Sequence, residues 1–309
     1  MDASIPVTVI GGYLGAGKTT LVNHLLREAG SRPRDAGGRR LAVLVNDFGA
    51  LPIDADLIES SDGDTISIAG GCVCCSFGSD LLAALQQLGR RDPPPDHLLI
   101  EASGVALPGA VADAVGLLQR FALDGVVVLA DAETVRERAA DRYLGDTILR
   151  QLAAADLVIL SRIDLVDAAV LPPLLDWLRA QAPVLSATRG EVPFDLLLGI
   201  QDRTRRGDAF APAPHAAYDS CSFDALPPLD VAQLARALAA PECGLLRAKG
   251  VLRDLDGAPV TLHLVGRRVE VHPAARGAPG RLACIGLRGR MDRPRIQRIL
   301  ESLTSETTT

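Results

Sequence analysis

The segment from Gly12 to Thr19 restricts the fold of this chain more than any other part of its sequence. It reads GYLGAGKT and matches the phosphate-binding pattern G-x-x-x-x-G-K-[ST] at every fixed position. The apolar run Val7–Ile10 precedes it, and a helical pattern continues from Lys18 to Glu28. This order of strand, loop and helix is the context in which the pattern binds a nucleotide.

The loop is therefore predicted to bind nucleotide phosphates and magnesium. Glycines let backbone N–H groups wrap around the phosphates, and the start of the following helix adds partial positive charge. Lys18, one of only two lysines in the chain, is expected to reach the β- and γ-phosphates, and Thr19 to ligate Mg²⁺. The predicted phosphate-binding residues are Gly12, Gly15, Ala16, Gly17, Lys18, Thr19 and Thr20.

Apolar runs and helical patterns alternate through the first two-thirds of the chain. Runs such as Leu98–Ile100 and Leu157–Leu160 are apolar throughout, which is typical of strands in a parallel sheet that is covered on both faces. This alternation predicts an α/β fold class, with a doubly wound P-loop domain and a mainly parallel sheet in residues 1–200. Residues 201–214 contain Pro212 and Pro214 and are interpreted as a linker.

A different pattern follows the linker. Short segments between Leu245 and Leu287 alternate in polarity like antiparallel strands, and Leu229–Leu238 and Pro294–Leu303 are predicted to be helices. Residues 215–303 are therefore expected to form a smaller α+β domain. Residues 304–309 are expected to be a disordered tail.

Composition argues against several classes of function. The net charge of −6 disfavours a nucleic-acid-binding surface. No apolar run is long enough to span a bilayer, and the first four residues lack the basic segment of a signal peptide. Three of the six cysteines, Cys221, Cys243 and Cys284, are scattered and are expected to be ordinary buried thiols. This cysteine usage predicts a cytoplasmic, reduced environment.

Glu101 and Gly104 follow the strand Leu98–Ile100 and suit the γ-phosphate side of a nucleotide site. The Glu101 carboxylate can hold Mg²⁺ through a water or hold the attacking water, and the Gly104 N–H can meet the γ-phosphate. The alternative is a solvent-facing Glu101 beside a helix-capping Ser103.

The base of the nucleotide is expected to lie against two later loops. Asp164 can accept two hydrogen bonds from guanine N1 and N2, which adenine does not offer. Ser186 and Ala187 follow another short apolar run and are placed behind the base. The alternative is that Asp164 and Ser186 are ordinary loop residues.

Three of the cysteines, Cys72, Cys74 and Cys75, lie within four residues and cannot form a normal set of intrachain disulfides. Thiolates at this spacing can bind a soft metal ion, with zinc or copper(I) favoured and cobalt tolerated. A fourth ligand could be water, a group from another protein or Asp47. Two thiolates with a nearby carboxylate, a structural zinc knuckle and three buried thiols are the alternatives.

In this order, the motifs resemble those of the CobW-like family of P-loop GTPase metallochaperones over nearly the whole chain. The segments that carry the resemblance are Gly12–Thr19, Asn46–Gly49, Gly71–Cys75, Glu101–Gly104, Ser161–Asp164, Leu246–Gly250 and Cys284–Gly286.

The resemblance implies a GTPase that binds Zn²⁺, or alternatively Co²⁺, and delivers it to a client metalloprotein under the control of the nucleotide. It also implies that the C-terminal domain helps to dock the client. By matching position, Lys18 and Glu101 are catalytic, and Asp164 binds guanine. The implied metal ligands are Thr19 and Glu101 for Mg²⁺, and Cys72, Cys74 and Cys75, with Asp47 beside them, for the transition metal.

The chain departs from the family pattern in three ways. Ala50 stands where the family usually has a Glu, which removes a carboxylate from the surroundings of the cysteine site. Arg162 stands where the guanine motif usually has Lys, and its stem and planar guanidinium can lie along the base in the same way. The five histidines are scattered, so the His-rich stretch of many family members is missing.

Two other functions stay open at this point. One is a P-loop GTPase or ATPase that carries no metal and has structural or redox-sensing cysteines. The other is a passive zinc buffer that also binds nucleotide. The sequence does not identify the client or the physiological metal, and it leaves the oligomeric state open, a homodimer included.

Overall fold

The computed structural model describes residues 4–32, 39–46, 66–70, 79–198, 218–274 and 280–305. The chain divides into two compact units, residues 2–198 and 199–309, and each has a hydrophobic core of its own. The predicted linker, residues 201–214, lies outside the described residues, so its boundaries stay a prediction.

A parallel sheet of seven strands forms the centre of the first unit. The strands are β1 (Ile5–Gly12), β2 (Leu41–Asn46), β3 (Ile66–Gly70), β4 (His97–Glu101), β5 (Phe121–Asp131), β6 (Leu157–Ser161) and β7 (Val184–Ser186). Their order across the sheet is β3-β2-β4-β1-β5-β6-β7, and every neighbouring pair is parallel.

Seven helices lie between or after these strands in the described part of the unit. They are α1 (Lys18–Ser31), α2 (Ser79–Gly89), α3 (Pro108–Gly116), α4 (Val135–Ala140), α5 (Gly145–Ala153), α6 (Leu171–Arg179) and α7 (Phe194–Leu198), with a short 3₁₀ turn at Ile163–Leu165. Every residue of β4 and β6 is buried, as expected of strands that are covered on both faces. The α/β prediction for this part of the chain is confirmed.

The second unit is built on an antiparallel sheet of five strands. The strands are β8 (Tyr218–Phe223), β9 (Leu245–Arg253), β10 (Pro259–Val265), β11 (Arg268–Pro273) and β12 (Arg281–Leu287). Their order is β11-β10-β9-β12-β8. Two helices, α8 (Val231–Leu238) and α9 (Arg293–Ser305), contribute Leu234 and Ile296 to its core, which confirms the predicted α+β class.

The end of α9 differs from the sequence-based prediction. The helix continues through Thr304 and Ser305, which the sequence assigns to a disordered tail. Two hydroxyls bond back to helix carbonyls there: Ser302 donates to Ile299 O at 2.8 Å, and Thr304 donates to Glu301 O at 3.0 Å. Leu303 is buried in the core, and this packing rather than the local bonds holds the last half-turn of the helix in place.

The three cysteines of the second unit are buried, as predicted. Although they are far apart in sequence, Cys221 in β8 lies directly opposite Cys284 in β12, and Cys243 belongs to the same core. Within the described ranges, no three His, Cys, Asp or Glu residues are grouped so that they could hold a metal ion. None of the described helices is long and apolar enough to cross a membrane.

Candidate nucleotide site

Most of the predicted nucleotide-binding residues lie at one edge of the parallel sheet. Gly12, Glu101, Ser161 and Ser186 are the last residues of β1, β4, β6 and β7, so the carboxyl ends of four strands meet there. Ligands of open α/β sheets bind in the crevice outside this edge, at the point where the order of strands reverses. Here β1 lies between β4 and β5, which places the crevice beside the phosphate loop.

The phosphate loop has the backbone that its glycines allow. Gly17 lies in the left-handed region at φ 98°, where a side chain is strained, and α1 begins at the next residue. Lys18 is only 8% exposed, and its Nζ donates to Gly12 O at 3.0 Å and to Tyr13 O at 3.4 Å. The lysine therefore lies along the inside of the loop. Gly15 and Thr20 are exposed, whereas Ala16 is buried.

Thr19 and Glu101 are brought together from α1 and β4. The Thr19 hydroxyl donates to Glu101 Oε1 at 2.8 Å, and Glu101 is 2% exposed. A hydroxyl and a carboxylate are hard oxygen donors of the kind that Mg²⁺ prefers, usually together with water and phosphate oxygens. The residues present at the predicted magnesium site therefore fit the ion.

Gly104 packs against the middle of the phosphate loop. A Cβ added to Gly104 would lie 2.6 Å from Leu14 Cδ2 and 2.8 Å from Leu14 N, so only glycine fits without a shift of the loop. The turn that follows β4 therefore lies directly on the loop, as expected for two segments that flank a γ-phosphate.

The predicted guanine motif begins with a contact that the sequence did not predict. The Ser161 hydroxyl has two carbonyl acceptors within reach of its single hydrogen, Ala16 O at 2.9 Å and Ala130 O at 3.2 Å. It therefore ties the end of β6 to the phosphate loop. Asp164 is exposed on the 3₁₀ turn Ile163–Leu165, where its carboxylate can meet a ligand.

Arg162 has left-handed backbone angles, φ 56° and ψ 33°, and its side chain is 44% exposed. Its Nη1 donates to the buried carboxylate of Asp131 at 2.8 Å and lies 3.9 Å from Glu133 Oε2. Two carboxylates therefore neutralise and orient the guanidinium that replaces the family's lysine. Sequence reasoning missed Asp131, although its position at the end of β5 was a usable signal.

The loop after β7 lies against the start of α1. Ala187 is buried, and its N–H donates to Leu160 O at 2.9 Å, while Ser186 is half-buried. A Cβ added to Gly190 would lie 3.3 Å from Thr20 Cγ2. The loop that follows the predicted base-backing residues therefore packs against the start of α1.

The predicted transition-metal ligands Asp47, Cys72, Cys74 and Cys75 lie outside the described residues. The strands that lead to them are described. Asn46 at the end of β2 pairs with Gly70 at the end of β3, and Val45 pairs with Glu101.

Comparison with known proteins gives the same assignment. Residues 6–186 match the family model of the CobW/HypB/UreG nucleotide-binding domain, and residues 218–304 match the cobalamin synthesis protein cobW C-terminal domain. This chain belongs to the CobW family. The resemblance that the motifs indicate is confirmed, and the family model includes the whole phosphate loop and Glu101.

Relatives within the CobW family match most of the chain. The zinc chaperone CobW of Sinorhizobium sp is 30% identical over 93% of this chain and 94% of its own length. The zinc chaperone CobW of Pseudomonas aeruginosa is 31% identical over 87% and 83% respectively. The zinc chaperone YjiA of Escherichia coli is 30% identical over 85% and 86%.

Proposed function

We propose that this CobW-family protein is a GTP-hydrolysing metallochaperone. It binds Zn²⁺, or alternatively Co²⁺, and delivers the ion to a client metalloprotein in a way that depends on the bound nucleotide. The names of its relatives, zinc chaperones in three bacteria, support metal delivery. The phosphate loop and the guanine motif support the GTPase activity.

In this proposal the carboxyl edge of the parallel sheet binds GTP. The phosphate loop and Lys18 bind the phosphates, and the Gly104 N–H meets the γ-phosphate. Asp164 reads guanine, and Arg162 lies along the base. The remaining contacts to the nucleotide come from Gly12, Gly15, Ala16, Gly17, Thr19, Thr20, Ser186 and Ala187.

Thr19 and Glu101 would hold Mg²⁺. When bound, this ion neutralises charge on the β- and γ-phosphates. The two side chains are already in contact at 2.8 Å, so the protein needs little rearrangement to present both oxygens. Lys18 and Glu101, both buried at this edge, are the proposed catalytic residues. Lys18 would neutralise charge on the β- and γ-phosphates, and Glu101 would hold Mg²⁺ or the attacking water.

The cargo ion would bind to Cys72, Cys74 and Cys75, with Asp47 as a candidate fourth ligand. Three thiolates fill three of zinc's four positions, and a fourth position that a client group can take over allows transfer, whereas a closed four-cysteine site is structural.

One observation carries the coupling of nucleotide to metal. Val45 is paired with Glu101, and the next residue, Asn46, is paired with Gly70. Asp47 and the cysteine segment therefore continue the chain from strand ends that adjoin the proposed Mg²⁺ ligand. A change at the γ-phosphate can therefore act on the strand ends from which the segments with the proposed cargo ligands continue.

Zinc titration of the nucleotide-free, GDP-bound and GTP-analogue-bound protein tests this function. We expect zinc affinity to rise roughly 5–150-fold with the non-hydrolysable analogue, which needs a coupling of only ~1–3 kcal/mol. Cys74→Ser should abolish tight zinc binding and leave GTP binding intact. Lys18→Ala should abolish GTP binding and leave tight zinc binding intact.

Equal zinc affinity in all three forms would contradict the coupling. A purified protein that hydrolyses GTP but binds no metal under reducing conditions would favour the GTPase without cargo. Loss of GTP binding in Cys74→Ser would show that the cysteines are structural.

A further inference from the structure

Arg138 on α4 holds the phosphate loop from outside. Its Nη1 donates to Leu14 O at 3.0 Å, and its guanidinium lies 5.1 Å from the centroid of the Tyr13 ring. Tyr13 and Leu14 are the second and third residues of the phosphate-binding pattern. One arginine therefore contacts two consecutive residues of the loop, one through a hydrogen bond and one through a cation–π contact.

Gln151 on α5 holds the turn after β4 in a similar way. It is 2% exposed, and its Nε2 donates to Gly104 O at 3.1 Å and to Ala106 O at 2.8 Å. A buried amide that donates both hydrogens to backbone carbonyls fixes the conformation of the segment that it binds. The segment here is the turn that contains Gly104.

The two helices form one unit. They contact each other, and Asp141 between them accepts hydrogen bonds from Tyr143 N at 2.7 Å and Leu144 N at 2.9 Å. Arg138 and Gln151 line the same pocket beside the phosphate loop. The helix pair therefore binds the loop with one residue and the turn with the other.

Leu14 and Gly104 also contact each other directly, since a Cβ on Gly104 would lie 2.6 Å from Leu14 Cδ2. A shift of either segment must move the other. Because these are the two segments proposed to flank the γ-phosphate, their relative position determines how well a nucleoside triphosphate fits. A diphosphate lacks the γ-phosphate that would lie between these two segments, so its binding depends less on their relative position.

We propose that Arg138 and Gln151 are positioning residues that hold the phosphate loop and the Gly104 turn in the arrangement that binds a γ-phosphate. This inference rests on the proposed GTPase function and assigns to α4 and α5 the ability to distinguish GTP from GDP. Neither residue belongs to a motif that carries the family resemblance.

The test compares Arg138→Met with Arg136→Met. Arg136 is on the same helix and lies over an aromatic ring as well, 4.7 Å from the centroid of Trp177, which makes it a matched control. The measurements are the affinities for GDP and for a non-hydrolysable GTP analogue, together with kcat and KM for GTP. We expect Arg138→Met to weaken binding of the GTP analogue about tenfold, which corresponds to ~1.4 kcal/mol. Its GDP affinity should stay within about twofold of wild type.

Two further variants complete the design. Gln151→Leu removes both donors at similar volume and should also weaken the analogue more than GDP. Arg138→Lys keeps the charge and one donor in reach, so it should lose less affinity for the GTP analogue than Arg138→Met does. Arg136→Met should leave both affinities unchanged. If Gln151→Leu fails to fold, the comparison of Arg138→Met with Arg136→Met still decides the matter.

Equal losses of GDP and analogue affinity would show a general structural role and overturn the inference. Unchanged affinities for both nucleotides would overturn it too. A fall in kcat with both affinities unchanged would instead place the guanidinium on the transferring phosphate. These outcomes leave the proposed function intact, whereas a wild-type protein that binds no GTP would end both proposals.

Discussion

At the scale of single residues, the guanine motif shows how a substitution is accommodated. A lysine places a compact charge on a flexible stem, whereas Arg162 has a planar group that needs partners to be oriented. Asp131 supplies one at 2.8 Å, and its carboxylate is also fixed by the N–H of Glu133 at 3.0 Å. The guanidinium is thus anchored at the end of β5, with its stem extending from the turn before Asp164.

We predict that Asp131→Asn weakens guanine recognition. The loss of charge frees Arg162, and because this pair is partly exposed, we expect a loss of about 0.5–1 kcal/mol, or two- to fivefold in affinity for GTP. Competition between GTP and ATP measures the selectivity. Asp176→Asn removes a comparable Asp–Arg contact, 3.0 Å to Arg179 on α6, and should leave the GTP-to-ATP preference unchanged. An unchanged GTP-to-ATP preference in Asp131→Asn would show that Asp131 takes no part in guanine recognition.

At the scale of secondary-structure elements, the core of the second unit contains sulfur from three elements. Cys221 and Cys284 face each other across β8 and β12, and Cys243 ends a 3₁₀ turn. Hydrogen bonding from Cys284 lowers the pKa of Cys221, and the positive charge of Arg293 adds to this effect. Contact with Cys221 and burial raise the pKa of Cys284 well above its ordinary value. The pair therefore keeps one proton more firmly than an exposed pair would.

The raised pKa of Cys243 leads us to predict that the stability of the second unit depends on pH. Burial raises this pKa above the ordinary value of 9.0. Arg295 lowers this pKa, whereas the negative charges of Glu242 and Asp292 raise it further. Because the pKa of Cys243 is higher in the folded protein, its contribution to the free energy of unfolding is complete below about pH 9. This contribution is lost as the pH rises through the folded pKa. Urea midpoints between pH 7.5 and about 10.5 should fall for wild type, and less steeply for Cys243→Ala.

Cys243→Ala also loses the hydrogen bond from Sγ to Ala237 O, 3.4 Å long, so its stability at neutral pH should be lower. The slope with pH, not the value at one pH, is therefore the decisive quantity. Identical slopes in wild type and Cys243→Ala would show that this thiol does not titrate with unfolding.

The elements differ in how far the sequence predicts them. Long apolar runs such as Leu157–Leu160 and the phosphate loop have strong local signals, and the structure has strands and a helix start there. The helix pair α4–α5 has a weak signal, since α4 is only six residues long. Gln151 did carry a clue, because it lies three residues after Ile148 on the buried face of α5. The contact of Arg138 with Leu14 spans 124 residues and depends on tertiary packing.

At the scale of the whole molecule, the two units have separate cores, and all the predicted nucleotide-binding residues belong to residues 2–198. A ligand that binds only the folded form stabilises that form by RT ln(1 + [L]/Kd). The free energy of GTP binding should therefore appear in the first unit and not in the second.

We predict that GTP analogue and Mg²⁺ at about 100 times Kd stabilise the first unit by ~2.7 kcal/mol. Hydrogen exchange followed by mass spectrometry separates the units, because peptides from β1, β4 and α1 report on one and peptides from β9 and β12 on the other. Protection should increase only in the first set, and Lys18→Ala should abolish the increase. Equal protection in both sets would mean that the two units unfold together, since binding energy at the sheet edge would then stabilise β9 and β12 as well.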